Sequence, residues 1–460
     1  MHAIPVIAIF DIGKTNKKLF LFDESYQVVH EQSAKLPEIT DEDGFPCDDI
    51  KGIEQFIMNA LQEVASLDAY DLKAVNFTAY GASLVYTDEN GKAVTPLYNY
   101  LKPYPKELQA AFYNTYGGEE HFSMVTASPV LGSLNSGMQL YRLKYERPQL
   151  FSAIKHAMHL PQYLSFLVTG KAVSDITSVG CHTNLWDFSK GAYHNWVEAE
   201  QLDSKLAPLI AADTTFDIVL HGKPVKAGIG LHDSSSALIP YLVSFSQPFV
   251  LLSTGTWCIT MNPFNDHPLT VGELRADCLC YMTFASRPVK AARLFAGYEH
   301  EMQVDRIADH FKVDAMLLPT TKFDTAVAAN LQEQNGLLNI EQQEVTGLKQ
   351  SVFAQRDMAR FQSAKEAYHQ LMLDLVAIQV KSAELVINGT GIQNVFVDGG
   401  FSHNDIFMQL LARVMPGVEL YAASLAQATA LGAAMAIHKD WNKQPMPAGL
   451  IQMKFIPVSA

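Results

Sequence analysis

One pattern occurs twice in this chain of 460 residues and constrains its fold more than any other: an apolar strand, a glycine turn and a returning strand. The first copy occupies residues 5–23, with Gly13 in its turn, and the second occupies residues 249–261, with Gly255 in its turn. An apolar run that ends at turn residues is typical of a buried strand. Two copies so far apart predict two α/β halves, each with its own core.

The rest of the chain agrees with two halves. Ser246-Gln247-Pro248 interrupts the pattern, so we expect an N-terminal domain over 1–245 and a C-terminal domain over 246–460. Periodicity predicts helices over 49–67, 364–387, 404–414 and 425–438, further strands over 26–36, 74–78 and 395–397, and mostly helical chain over 105–215.

Charge and cysteine content exclude several classes of protein. The net charge is -14, from 34 Lys and Arg against 48 Asp and Glu, which disfavours non-specific nucleic-acid binding. Five scattered cysteines do not suit a disulfide framework, and Cys278 and Cys280 are read as two buried thiols of a strand rather than a zinc site. The N-terminus lacks the basic region of a signal peptide, and no apolar run is long enough for a membrane helix. We therefore expect a cytoplasmic protein.

The first glycine turn has the appearance of a nucleotide-binding P-loop but lacks its pattern. Gly13-Lys14-Thr15 would require a glycine at position 8, which is Ala8, and a helix after the loop, where the sequence predicts a strand. The alternative is a strand–turn–strand phosphate clamp. In it Gly13 lets backbone amides approach a phosphate, since it has no Cβ. The other candidate residues of this clamp are Thr15 and Asn16 as donors, Lys17 at the terminal phosphate, and Asp11 holding Mg²⁺ through water.

Each motif taken alone also has an ordinary structural explanation. A hairpin accounts for Gly13 or Gly255, and a capped helix accounts for the glycines of Asp398-Gly399-Gly400. Asp233 precedes an apolar, helical run, where aspartate commonly caps the helix. Capping and chemistry therefore both remain open for these residues at this point.

The order of the motifs is more specific than any one of them. Asp-x-Gly-x-Thr stands at the N-terminus, Gly-x-His-Asp at mid-chain, Ser-Thr-Gly-Thr-Trp twenty residues on, and Asp-Gly-Gly near the C-terminus. This order resembles the FGGY carbohydrate kinases, members of the actin/Hsp70/hexokinase superfamily, over essentially the whole chain. The segments 77–82 and 87–91 resemble the sugar loop and hairpin of the rhamnulokinase-like branch, and 426–434 resembles the closing helix of the second domain.

The resemblance implies a fold and a set of site residues. The fold would be two actin-like (ribonuclease H-like) α/β domains with a cleft between them, and the ligands would be a sugar, ATP and Mg²⁺. Domain 1–245 would bind the sugar and carry the first phosphate turn, and domain 246–460 would bind ATP. Asp233 would be the catalytic base, since phosphoryl transfer needs a carboxylate to accept the hydroxyl proton. The implied sugar-binding residues are Tyr80, Gly81, Ser83, His232 and Ser234, and the implied ATP-binding residues of the second domain are Thr256, Gly399, Gly400 and Asn404.

Three departures from the family pattern stand out; the first two bear on the substrate, and the third is remote from the chemistry. Tyr80 and Ser83 replace a tryptophan and an aspartate that are common in rhamnulokinases, and the segment 98–101 replaces the usual Tyr-Arg-Asp. Gln427 stands where many relatives have glutamate. The expected activity is ATP-dependent phosphorylation of a free sugar such as rhamnulose or fuculose. The alternatives are a xylulose- or glycerol-type kinase of the same family and a non-enzymatic, actin-like nucleotide-binding protein; a homodimer stays open.

Overall fold

The computed structural model describes residues 3–335, 351–425, 427–447 and 449–458. Its strands are β1 Ile4–Ile12, β2 Lys17–Asp23, β3 Val28–Ala34, β4 Glu38–Thr40, β5 Pro46–Asp48, β6 Tyr70–Ala79, β7 Leu84–Thr87, β8 His156–His159, β9 Ser174–Asp175, β10 Trp186–Asp187, β11 Ala192–Tyr193, β12 Leu209–Ile210, β13 Thr215–Leu220, β14 Lys223–Gly228, β15 Leu231–His232, β16 Phe249–Thr254, β17 Cys258–Asn262, β18 Cys278–Met282, β19 Pro288–Leu294, β20 Asn394–Gly399, β21 Glu419–Ser424 and β22 Gln452–Phe455.

The helices join these strands in the alternation typical of α/β proteins. They are α1 Ile50–Ser66, α2 Lys106–Thr115, α3 Glu119–Val125, α4 Ser136–Glu146, α5 Pro148–Ala153, α6 Leu160–Thr169, α7 Ile176–Val179, α8 Asn195–Ala199, α9 Asp233–Ser244, α10 Val271–Arg275, α11 Ala296–Phe311, α12 Thr325–Asn335, α13 Ala364–Ile387, α14 Asp405–Val414, α15 Ala428–Ala436 and α16 His438–Trp441. Within the part of the chain that the structure describes, every helix is too short or too polar to cross a membrane.

The chain forms two compact units. Unit 1 comprises residues 1–244, 280–288 and 427–450, and unit 2 comprises 245–279, 289–426 and 451–460. The predicted domains over 1–245 and 246–460 stay a prediction, while the contacts of the structure group segments 280–288 and 427–450 with unit 1. The returning helix α15 packs closely on α9: a Cβ at Gly432 would lie 1.8 Å from the Ser236 carbonyl oxygen. This small-residue contact joins segments that no local sequence pattern connects.

Unit 1 is built on a sheet with the strand order β13-β14-β6-β1-β2-β3, and β15 also pairs with β6. The strands β1 and β2 form the predicted hairpin, while β1, β14 and β15 all run parallel to β6. Helix α1 buries its apolar face on this sheet, and its N-cap Asp49 accepts a hydrogen bond from the Lys51 amide. Asp11 of β1 and Leu231 of β15 both pair with Thr78 of β6, so these three parallel strands end at the same edge of the sheet.

The segment 105–215 is less helical than predicted. Short strands lie between its helices: β9 pairs with β12, β10 pairs with β11, and β8 pairs with β7, which precedes the segment. Its core is aromatic: Phe112 contacts Tyr113, Phe122, Tyr141 and Trp196 at ring-centroid distances of 4.9 to 5.1 Å. Strands of two to four residues carry too little alternation to be recognised locally, and the partners of β8 and β9 lie far away in the chain.

Unit 2 repeats the architecture of unit 1. Its sheet has the order β18-β19-β17-β16-β20-β21-β22, in which β16 pairs antiparallel with β17 and parallel with β20, and β20 pairs parallel with β21. The predicted helix 364–387 is confirmed as α13, which is buried along most of its length in the core of this unit. The predicted helix 425–438 is shorter, since α15 begins after Gln427, whose φ of 54° is left-handed; Ala426 lies outside the described residues.

The two sheets share one sequence of strand pairings. From β3 to β13 in unit 1 and from β19 to β22 in unit 2, the pairings run antiparallel, antiparallel, parallel, parallel and antiparallel. The repeat predicted from the two glycine turns is therefore a repeat of whole sheets. The predicted cleft between the domains stays a prediction.

Candidate active site

The carboxyl edge of the unit 1 sheet gathers the residues that sequence reasoning placed at the chemistry. Asp11 lies near the end of β1, Tyr80 and Gly81 follow β6, and His232 ends β15 just before Asp233. Because β1, β6 and β15 are parallel neighbours, these side chains share one edge. Ligands of open α/β sheets bind at this kind of edge.

Asp233 is the first residue of α9, and its carboxylate is oriented rather than buried. Its Oδ1 accepts hydrogen bonds from the Ser234 amide (2.6 Å) and the Ser234 hydroxyl (3.2 Å), and lies 3.2 Å from His232 Nε2. The side chain is 35% exposed. Ser234, predicted to bind substrate, thus holds the carboxylate. The helix N-terminus favours its negative charge, and an accessible oxygen remains for a substrate proton.

The carboxylates of Asp11 and Asp233 repel each other. Burial and then the charge of Asp233 raise the pKa of Asp11 to about 7, and Lys18 opposes this shift. In the described part of the chain the Asp11 carboxyl has no hydrogen-bond partner, so nearby positive charge would be favourable. That demand fits a divalent cation. The described residues contain no group of three or more His, Cys, Asp or Glu side chains that could hold a metal ion. Water and phosphate oxygens would therefore complete the coordination shell of Mg²⁺ at Asp11.

Gly81 has a structural reason to be glycine beside the predicted one. Close approach of the sugar stays a prediction, and a Cβ at Gly81 would also lie 2.8 Å from two ring atoms of His232. The missing side chain makes room for this imidazole. His232 is buried, its Nε2 lies 3.4 Å from Cys181 Sγ, and its Nδ1 has no partner within the described residues. Burial lowers the pKa of His232 although Asp233 opposes this, so the ring is neutral at pH 7.

Ser83, two residues after Gly81, has a buried hydroxyl. Only 2% of Ser83 is exposed, and its Oγ has no hydrogen-bond partner among the residues that the structure describes. Gln139 Nε2 donates to the Ala82 carbonyl at 2.7 Å and so fixes the loop from α4. A buried polar atom without a partner usually awaits a ligand or water. Gln139 was missed because its role depends on a contact 57 residues away in the chain.

Lys17 and Tyr80 contradict the roles predicted for them. Lys17 is 1% exposed; its ammonium donates to Asp48 Oδ1 at 2.8 Å and to the Lys14 carbonyl at 2.9 Å, so it is not available to a terminal phosphate. The hydroxyl of Tyr80 donates to Asp48 Oδ2 at 2.8 Å and is not free for a sugar. The buried carboxylate of Asp48 attracts both groups inward. The other residues predicted for this turn, Thr15 and Asn16, are exposed, and Gly13 donates to the Asn16 carbonyl at 2.9 Å.

Unit 2 carries an open cavity of about 770 Å³ at the corresponding edge of its own sheet. Its lining residues are Thr254, Gly255, Thr256, Gly297, His300, Glu301, Pro319, Thr320, Lys322, Gly400, Phe401, His403, Asn404 and Asp405. Thr256 and Gly400, predicted at the ATP phosphates and the adenosine, therefore line one cavity. Its volume is in the range of small-molecule and cofactor sites.

Two close backbone approaches shape this cavity. Gly399 has a φ of 87°, and a Cβ there would lie 2.0 Å from the Thr254 carbonyl oxygen. Gly297, at the start of α11, would place a Cβ 1.8 Å from the Gly255 carbonyl oxygen. Both positions therefore require glycine. Gly399 was predicted, whereas Gly297 was missed; its only signal is a glycine in the first turn of a helix that follows an apolar strand.

Asn404 has a different role from the one predicted. Its Oδ1 accepts from the Phe407 amide at 3.0 Å and caps α14, while its Nδ2 donates to the Tyr368 hydroxyl at 2.6 Å. Both ends of the amide are thus engaged within the protein. Its Nδ2 also donates to the Pro319 carbonyl at 3.4 Å, and only 4% of the residue is exposed, so Asn404 shapes the cavity wall rather than offering its amide to adenosine.

The repeated sheet, with a glycine turn at the carboxyl edge of each copy, defines a two-domain, actin-like α/β protein. Residues 6–231 match the N-terminal domain of the FGGY family of carbohydrate kinases, and residues 246–445 match the carbohydrate kinase FGGY C-terminal domain. The two matches together cover most of the sequence. The chain belongs to the FGGY family of carbohydrate kinases.

Individual relatives are distant. The chain is 22% identical over 247 residues to a rhamnulokinase of Oceanobacillus iheyensis, covering 50% of this chain and 49% of that one. The chain thus spans about half the length of the curated relatives it matches. A carbohydrate kinase from Novosphingobium aromaticivorans has the same fold, with a TM-score of 0.78, 22% identity, and 99% and 95% of the two chains covered. A ligand-bound xylulose kinase from Lactobacillus acidophilus also has this fold, with a TM-score of 0.77 and 17% identity. The match covers 98% of this chain and 92% of that chain.

Proposed function

We propose that the protein is an ATP-dependent kinase that transfers the γ-phosphoryl group to a hydroxyl of a free sugar. The observation that carries this proposal is the placement of Asp233: an accessible carboxylate at a helix N-terminus, held by Ser234, on the sheet edge that also carries Asp11. A phosphoryl transfer of this kind needs alignment, charge neutralisation and one proton acceptor.

The residues of unit 1 would handle the acceptor. Asp233 would take the proton of the attacking hydroxyl, and the buried Ser83 hydroxyl and His232 Nδ1 would bind other hydroxyls of the sugar, since neither has a partner within the described residues. Asp11 would hold Mg²⁺, which when bound neutralises charge on the phosphates. Gly13, Thr15 and Asn16 would face the transferred phosphate through backbone and side-chain donors.

The residues of unit 2 would hold the nucleotide. The cavity beside Thr256 and Gly400 would take ATP, with the glycines at 297 and 399 allowing the backbone to close around it. Lys322 and His403, which sequence reasoning missed, add basic groups to the lining. We propose that the enzyme acts in the cytoplasm, where ATP is available.

For the sugar we propose a deoxy-ketohexose of the rhamnulose or fuculose type. The curated relative named above is a rhamnulokinase, and the segment 77–91 and the pair His232 and Asp233 resemble that branch. A xylulose-type substrate is the second candidate, because one protein of the same fold is a xylulose kinase.

The test is sugar-stimulated ADP release. Purified protein with ATP and Mg²⁺ is assayed against L-rhamnulose, L-fuculose, D-xylulose, D-ribulose, D-gluconate and glycerol, with no sugar as the blank. We expect one of the two deoxy-ketohexoses to give the highest kcat/KM. A higher value for xylulose or glycerol would overturn the substrate but retain the kinase. Nucleotide binding with no stimulation by any of the six would favour a non-enzymatic, actin-like protein.

A further inference from the structure

One buried carboxylate joins the two functional segments of unit 1. Asp48, at the end of β5, accepts hydrogen bonds from Lys14 Nζ (2.6 Å), Lys17 Nζ (2.8 Å) and the Tyr80 hydroxyl (2.8 Å). Asp48 is 5% exposed, and Lys17 and Tyr80 are buried as well. Lys14 also contacts Glu38 at 3.2 Å. We call Asp48 with its three donors the Asp48 cluster.

The donors come from segments that would bind different ligands. Lys14 and Lys17 belong to the first glycine turn and the strand that leaves it, where phosphate would bind. Tyr80 directly precedes Gly81, where a Cβ would lie 2.8 Å from the ring of His232, the residue before Asp233. The Asp48 cluster therefore spans from the turn after Asp11 to the loop that contains Gly81, and Lys14 is its one partly exposed member, with 26% of its side chain exposed.

The charges of the cluster make it rigid. Burial alone would raise the pKa of Asp48, but the hydrogen bonds from Lys14 and Lys17 outweigh burial and hold this pKa below its usual range. The carboxylate is thus ionised at neutral pH and balanced by two ammonium groups. Removing one partner of a buried ion pair leaves an uncompensated charge, which is strongly unfavourable. Charge balance therefore favours the observed arrangement of the cluster.

We propose that Asp48, acting through Tyr80, is a positioning residue that fixes the sugar loop relative to the first phosphate turn. This inference rests on the proposed function, because it concerns the alignment of the acceptor hydroxyl with the phosphate. Alignment of reacting groups is worth large factors in rate, and a displacement of about 1 Å can cost about a hundredfold. Tyr80 and Asp48 would act on kcat, since their polar groups are buried and contact each other within the protein.

The first test removes one hydrogen bond from the cluster. Tyr80→Phe deletes the hydroxyl that reaches Asp48 and keeps the ring and both lysine contacts. Tyr163→Phe is the matched control, because Tyr163 is also buried and its hydroxyl also donates to a carboxylate, Glu54 Oε1 of α1 at 2.6 Å, which is not among the site residues. We expect Tyr80→Phe to lower kcat at least about tenfold, with a fall in Tm no larger than that of the control. A kcat as high as that of Tyr163→Phe would overturn the inference.

The second test asks whether Tyr80 and Asp48 act as one unit. Asp48→Asn removes the charge, and the double variant Tyr80→Phe/Asp48→Asn closes a cycle. Residues that work through one contact give non-additive effects. We expect Tyr80→Phe to change kcat less than about twofold when Asn already occupies position 48. Additive effects on kcat would contradict the inference. If Asp48→Asn does not fold, the comparison of Tyr80→Phe with Tyr163→Phe decides alone.

Failure of the proposed function gives a different result. In that case the wild-type protein releases no ADP with any of the six sugars, and both proposals fall. When the wild type is active and Tyr80→Phe equals its control, only the positioning role of Asp48 is wrong.

Discussion

The two glycine turns occupy equivalent places in two sheets with the same strand pairings, yet they carry different chemistry. The turn after β1 is surrounded by charge: Asp11, Lys14 and Lys17 are all ionisable, and Asp48 anchors both lysines. The turn after β16 carries hydroxyls and glycines, with Thr254 and Thr256 on either side of Gly255. The fold supplies the same edge twice, and the side chains decide what each edge does.

The backbone differs as well. Gly13 does not have a positive φ, and its nearest approach is the Asn16 carbonyl within its own turn, 3.2 Å from where a Cβ would stand. In unit 2, Gly399 and Gly297 are pressed against the backbone of the neighbouring turn. Thr254 fastens this arrangement, since its hydroxyl donates to the Asp398 carbonyl (2.5 Å) and accepts from the Phe401 amide (3.0 Å). The first turn is thus suited to charge and proton transfer, and the second to holding a ligand against bare backbone.

The largest effect should come from replacing Asp233, the proposed catalytic base in unit 1. Asp233→Asn keeps the size of the side chain but cannot accept a proton near neutral pH. We expect kcat to fall at least about a hundredfold, because general-base catalysis contributes roughly 10² to 10⁴ in rate. Steady-state kinetics with the best sugar measures this. If Asp233 only capped α9, asparagine would serve equally well and turnover would stay near wild type.

A smaller effect should come from the backbone of unit 2. Gly399→Ala meets the Thr254 carbonyl at a φ of 87° and a ψ of -156°, so the turn must move, whereas Gly272→Ala, in α10 and outside the cavity lining, has its nearest atom 4.0 Å away. This backbone region is essentially restricted to glycine and costs another residue about 1–3 kcal/mol. We expect Gly399→Ala to weaken ATP binding about tenfold, a factor equivalent to about 1.4 kcal/mol, and Gly272→Ala to change it less than about twofold. Calorimetric titration measures both, and equal affinities would contradict the assignment of this turn.

Thr256→Val should have a milder effect on the same ligand. Thr256 is exposed at the cavity, and the change removes one hydroxyl while keeping the shape of the side chain. One hydrogen bond contributes about 0.5–1.5 kcal/mol, so we expect a loss of ATP affinity between about twofold and tenfold with an unchanged Tm of the free protein. Unchanged affinity would remove Thr256 from the nucleotide site.

The smallest effect concerns the pH dependence of stability. The pKa of Asp11 rises from its usual value near 4 to about 7, so the folded state binds this proton more tightly than the unfolded chain. Its contribution to stability is therefore complete below about pH 4 and is lost as pH rises to about 7. Burial also raises the pKa of Asp175 to about 7. A comparison of wild type with Asp11→Asn cancels this second contribution, because both proteins contain Asp175.

We expect the free energy of unfolding of wild type, relative to Asp11→Asn, to decrease between pH 4 and pH 7. Urea denaturation in EDTA measures this difference at each pH. A constant difference would show that the Asp11 carboxyl is not destabilised by its surroundings. Adding Mg²⁺ at pH 7.5 should then raise the Tm of wild type more than that of Asp11→Asn, because the ionised carboxylate attracts the cation.

What could be predicted from the sequence was local. The two strand–turn–strand copies and helix α13 follow from runs of apolar residues and from glycines at their ends, and these elements are confirmed. The directions of several side chains could not be predicted, because they depend on partners distant in the chain. Lys17 turns towards Asp48, which is 31 positions away, and Asn404 contacts Tyr368, which is 36 positions away. A phosphate-binding lysine and a buried ion-paired lysine look alike until that partner is known.

The central claim is that unit 1 handles the acceptor and its proton while unit 2 holds the nucleotide. One set of calorimetric titrations tests it directly: ATP, and separately the best sugar, titrated into Asp233→Asn and into Gly399→Ala. The account predicts that Asp233→Asn binds both ligands within a few-fold of wild type although it does not turn over. It predicts that Gly399→Ala loses affinity for ATP about tenfold and keeps its affinity for the sugar. Loss of sugar binding in Gly399→Ala, or of ATP binding in Asp233→Asn, would contradict this division between the two turns.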